Sequence, residues 1–161
     1  MSYASTPTEI WYVADQSEFW RKKTMPERIR YVTDRFKSVL VGELGRKMFV
    51  RDFNHSPQQL RWLVEGLKDE DGLSMYSKWE PQDWQMFYPD SFAIGAFGST
   101  PQVIEADLGA EYWGRSMVPV SMVRLIKKRW DYDRTHGATG IVARIDRDEE
   151  SSLGTPSEVN L

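Results

Sequence analysis

Residues 103–153 read VIEADLGAEYWGRSMVPVSMVRLIKKRWDYDRTHGATGIVARIDRDEESSL, and the order of elements in this stretch decides the fold. Val103 to Leu108 reads as a strand, in which Glu105 and Asp107 alternate with Ala106 and share one face. A Tyr-Trp-Gly-Arg turn follows. After Gly114 a helix is predicted to about Trp130, with Met122, Val123, Ile126 and Trp130 on its inner face. His136 and Gly137 form a short connection, and Ile141 to Ile145 is a final strand. A strand–helix–strand crossover places its two strands parallel in one sheet.

The join between turn and helix carries chemistry of its own. Amides at a helix N-terminus lack intrahelical partners, and with the helix dipole they favour an anion. A glycine such as Gly114 lets backbone approach a diphosphate closely. Equally, Gly114 reads as an ordinary turn glycine.

Working outward, Gly98-Ser99-Thr100-Pro101 is a turn, and Ser91 to Phe97 before it reads as a strand. Glu80-Pro81 opens a shorter helix carrying Trp84, Met86 and Phe87. Asp69 to Gly72 is a turn, Ser56-Pro57 an N-cap and first helical residue, and Leu60, Leu63, Val64 and Leu67 the stripe of the helix they open. Lys47 to Phe53 reads as a strand. A helix from Pro26 carries Ile29, Val32, Phe36, Val39 and Leu40 and ends at Gly42 and Gly45. Ile10, Tyr12 and Val13 suggest a short early strand. The resulting division is a leader over 1–25, one α/β domain over 26–153 and a polar tail over 154–161.

The run Glu111-Tyr112-Trp113-Gly114-Arg115, followed by an apolar helix, resembles the acyl-CoA loop of the GNAT N-acetyltransferases, particularly the ribosomal-protein acetyltransferase (RimJ/RimL-like) branch. A second landmark is Ile145-Asp146-Arg147-Asp148-Glu149-Glu150-Ser151-Ser152, similar in spacing to that family's Asp-Pro-Asp-Asn-x-x-Ser turn. The resemblance implies a central twisted mixed sheet flanked by helices, with parallel strands splayed on either side of Gly114. It also implies acetyl-CoA as co-substrate without a metal, held by Tyr112, Trp113, Gly114, Arg115, Ser116 and Met117. Glu105 and Asp107 become the candidate bases, against the plainer reading of two solvent-facing edge carboxylates. Ser116 stands where the family has a second glycine, and Pro119 removes one helix amide. Glu149 replaces an asparagine, and the family's closing helix and strands have no counterpart, so the C-terminal end is expected to be truncated relative to that fold.

Composition sets the outer limits. The 161 residues include 40% hydrophobic and 28% charged side chains, the mix of a globular domain. Net charge is −3, so nucleic acid is not an expected partner, although Arg124, Lys127, Lys128 and Arg129 form a local basic group. The run Lys127-Lys128-Arg129 is expected near a helix C-terminus, where cations suit the dipole. No cysteine occurs, which excludes disulfides and thiolate metal sites. Only His55 and His136 are present. Neither a signal-type segment nor a membrane-length apolar run is seen, so the expected location is cytoplasmic, or virion-associated for a viral source. Aromatics reach 13%, which suits a dense core or a partner-facing surface.

Two functions follow as expectations. The first is an acetyl-CoA-dependent N-acyltransferase, with CoA and an amine of a protein or small molecule as its partners. The second is a catalytically inactive domain of the same type, acting as a structural or protein-interaction subunit whose sheet a homo- or hetero-oligomeric partner completes.

Overall fold

The computed structural model describes residues 2–4, 17–52, 56–79, 90–107 and 122–144. Five strands form one sheet: β1 (Ser2–Ala4), β2 (Met48–Asp52), β3 (Leu73–Lys78), β4 (Gln102–Asp107) and β5 (Ala138–Arg144). They lie in chain order, and every neighbouring pair is parallel. The helix-covered α/β sheet is as expected, and among the described strands every pairing is parallel. Successive parallel strands need a crossover over one face, and a hairpin cannot join them.

The helices supply most of those crossovers. α1 (Glu18–Arg21) and α2 (Met25–Lys37) lie between β1 and β2, α3 (Pro57–Leu67) between β2 and β3, and α4 (Met122–Thr135) between β4 and β5. α2 begins with a reciprocal cap: Thr24 Oγ1 accepts from the Glu27 amide, and the Thr24 amide donates to Glu27 Oε2 at 2.7 Å. It ends in a π-helical turn, Ser38–Glu43, before Gly45 at φ +59°. Of its expected stripe, Ile29 is buried, whereas Phe36 and Val39 are exposed. α3 starts as its sequence predicts, with Ser56 Oγ accepting from the Gln59 amide and Pro57 in the first turn. It buries Leu60, Leu63 and Leu67.

All the described crossovers cover the same sheet face. Register pairs Val50 with Met75, Met75 with Gln102 and Ser77 with Ile104, so these side chains share one side. On that side Ile29, Leu60, Leu63, Leu67, Ala93 and Phe97 pack on Met48, Val50, Leu73 and Met75. Trp79, Ile94 and Tyr132 pack around Ile104 and Ala138. The other face carries Phe49, Arg51, Ser74, Tyr76, Val103 and Glu105, together with Val142.

Two further expectations change. β3 was not anticipated in the sequence. Ser91 to Phe97, expected as a strand, is instead a run of turns continuing to Ser99. Gly95 and Gly98 there have φ of +80° and +62°, outside extended backbone. Amides bond three residues back, Ile94 to Ser91 and Ala96 to Ala93. A side chain at Gly98 would collide with the Asp69 carboxylate, which accepts from the Ser99 amide at 2.7 Å. The expected early strand at Ile10 to Val13, the helix opened by Glu80-Pro81 and the tail over 154–161 lie outside the described residues.

Candidate functional site

Glu105, a candidate base from its place in the sequence, sits on β4 between β3 and β5, not at a sheet edge. It is 3% exposed, so the solvent-facing alternative is also corrected. Both of its oxygens are engaged by one guanidinium: Arg51 Nε donates to Oε2 at 2.7 Å and Arg51 Nη2 donates to Oε1. Such a two-point match is the strongest geometry for this pair. It bridges β2 to β4 across β3, where Tyr76 is in register with Arg51 and Lys78 with Glu105. Burial and then the Glu105 charge push the Tyr76 hydroxyl above its ordinary pKa, with Arg51 opposing.

Asp107 ends β4 in register with Arg144; its side chain lies outside the described residues. So do Tyr112, Trp113, Gly114, Arg115, Ser116 and Met117, the residues expected to hold coenzyme A. The strands flanking them are described. β4 and β5 are joined by α4 and remain paired from Gln102 with Ala138 through Asp107 with Arg144, with one register shift at Gln102/Val103. Over that length they are not splayed.

A second buried carboxylate was missed in the sequence. Asp133, on α4, is fully buried, and its Oδ2 accepts from Trp79 Nε1–H at 3.1 Å. Among the described residues its Oδ1 has no hydrogen-bond partner. The Arg129 guanidinium lies 4.6 Å over the Trp79 ring, and Tyr132 meets that ring edge-on. His136 stacks on Tyr132 with centroids 3.9 Å apart. Its Nδ1 lies 2.8 Å from the Tyr132 carbonyl, so the geometry puts a proton on Nδ1 and makes His136 a helix-end cap. Burial pushes the Asp133 carboxyl up to about 6, with Asp90 adding; Trp79, Arg129 and His136 oppose. The basic run at Lys127 is therefore not at a helix end, because α4 continues to Thr135 and turns Arg129 inward.

Gln102 is another residue the sequence did not flag. Its Nε2 donates to Ser77 Oγ at 2.9 Å and to the Ala93 carbonyl at 3.0 Å, while its Oε1 accepts from the Gly95 amide at 2.7 Å. One buried amide thus ties the 91–99 turns to the sheet. No group of three or more metal-ligating side chains occurs among the described residues.

A groove of about 520 Å³ runs between α3 and the turns. Pro57, Leu60, Arg61, Val64 and Glu65 line one wall, and Phe92 and Ala96 the other. Phe92 is 54% exposed. Among the described residues no helix is long and apolar enough to cross a membrane. No family model, no curated protein and no solved structure matches this chain.

Proposed function

We propose that this chain is a protein-recognition module, a β–α layer that presents surfaces to a partner within an assembly rather than carrying out catalysis. The observation that carries this reading is the strand order. In open α/β sheets, ligand crevices form where the strand order reverses, outside the carboxyl ends of the strands. Strands β1 to β5 run in chain order without a reversal. The best-placed acid, Glu105, spends both oxygens on Arg51 and so acts as a cross-strand tie. The apolar concavity lies instead on the outer surface, where Phe92 is exposed beside α3. An apolar depression with a polar rim is a common form of protein contact site.

One observation favours the acetyl-CoA-dependent N-acyltransferase as a second reading. β4, α4 and β5 form the parallel strand–helix–strand unit that the family resemblance requires. Calorimetric titration with acetyl-CoA separates the two. The recognition reading expects no heat of binding at high micromolar ligand from protein shown to be folded by circular dichroism. Saturable binding with one-to-one stoichiometry would replace it with the acyltransferase.

A further inference from the structure

The outer stripe of α3 has a feature that the core does not explain. Pro57, Leu60, Arg61, Val64 and Glu65 recur at three- and four-residue steps, so they form one continuous wall of the groove. Within it Arg61 and Glu65 are both exposed and one helical turn apart. Among the described residues neither makes a side-chain hydrogen bond or ion pair, although each lies one turn from its opposite charge. Elsewhere among the described residues Lys22 pairs with Glu18 and Lys127 with Asp131 at the same one-turn spacing, whereas Arg30 reaches Glu70 and not Asp34 one turn on.

We propose that a second copy of this chain docks on this groove, with the two α3 helices antiparallel across a two-fold axis. This deepens the recognition reading by naming the partner, and rests on it. A two-fold axis midway between Arg61 and Glu65 sets Arg61 of each copy against Glu65 of the other, so one pair of residues supplies both cross-interface ion pairs. A foreign helix would need its own complementary charges at the right step. Self-association needs nothing that the chain does not already carry. Leu60 and Val64, the apolar residues of the same wall, lie beside that charge pair.

The seven lining residues are fewer than the roughly 20 per side of a standard interface, so a weak, reversible association is expected. The rim charges set register more than affinity and are sensitive to salt.

Sedimentation equilibrium of the full chain, up to a few hundred micromolar, tests the proposal. The parent chain is expected to dimerise reversibly, and more tightly at low salt. Arg61→Glu opposes two acids at each contact and should weaken the dimer about tenfold; Glu65→Arg should do the same with two bases. The double variant Arg61→Glu/Glu65→Arg restores the pairing with reversed polarity and should return to within about threefold of the parent. These positions are exposed, and circular dichroism checks that each variant folds. A monomer across the whole range would overturn the proposal, as would a dimer indifferent to both reversals or a double variant as weak as either single one. Failure here is distinguishable from failure of the recognition reading. A dimer that also binds acetyl-CoA keeps this interface and sinks that reading, whereas a monomer that binds no acetyl-CoA does the reverse.

Discussion

The two halves of the sheet are stabilised by different physics. Around β2 and β3 the interior is aliphatic: Met48, Val50, Leu73 and Met75 meet Leu60, Leu63 and Leu67 of α3. Around β4 the same face holds Gln102, Trp79, Asp133 and Arg129, all buried. The first half depends on area and close packing. The second depends on directed hydrogen bonds and on a carboxyl group whose charge state follows pH. Substitutions should therefore act oppositely in the two places: shaving atoms hurts the first, while removing charge helps the second.

The largest effect is expected from Leu63→Ala, since Leu63 is fully buried in the aliphatic half. Loss of its transfer energy plus the cavity left behind should cost about 3–4 kcal/mol in urea unfolding. A cost below about 1 kcal/mol would mean that the aliphatic half is not the packed part.

Breaking the tie between the halves should cost nearly as much. Arg51→Ala leaves Glu105 buried without its guanidinium, at about 3 kcal/mol. The double variant Arg51→Met/Glu105→Leu should recover most of that loss. Recovery sharpens the contrast, because it shows that an apolar bridge serves this position as well as an ionic one.

Asp133→Asn should raise stability. The carboxyl moves from an ordinary 3.8 to about 6 in the fold, so between those pH values the folded state binds more protons than the unfolded one. Stability contributed by this group is therefore complete below about pH 4, falls as pH rises to about 6, and stays lower above it. The asparagine keeps an acceptor for Trp79 and removes the buried charge. A gain of about 1 kcal/mol at pH 8, and none at pH 4, is expected in thermal melts taken at both. An equal effect at the two pH values would contradict the assignment.

The smallest change comes at the margin of the aliphatic half. Ser56→Ala removes the acceptor for the Gln59 amide at the start of α3 and should cost about 1 kcal/mol, with no pH dependence. Ser56→Asp should be nearly neutral.

What was legible in the sequence follows the range of the interactions involved. The start and stripe of α3 were plain because Ser56, Pro57, Leu60, Leu63 and Leu67 act within a few turns of one another. The parallel pairing of β4 and β5 followed from the crossover rule. β3 was overlooked because its apolar content is only Leu73 and Met75, with Ser74 and Tyr76 turned to the opposite face. The 91–97 run was misread because alternating small and apolar residues fit a strand until Gly95 is required at positive φ. At the candidate site, Glu105 was visible but its meaning was not. Arg51 lies 54 residues away, as Trp79 does from Asp133, and only folding brings either pair together.

Because each strand is laid beside its predecessor, most backbone pairing joins elements that are adjacent along the chain, and the Arg51–Glu105 bridge is an exception that skips a strand. Cohesion of this nearest-neighbour kind makes a molecule able to come apart from its ends, like a row of books losing a bookend. Amide deuterium uptake in the native state should be slowest in β3, faster in β2 and β4, and fastest in β1 and β5.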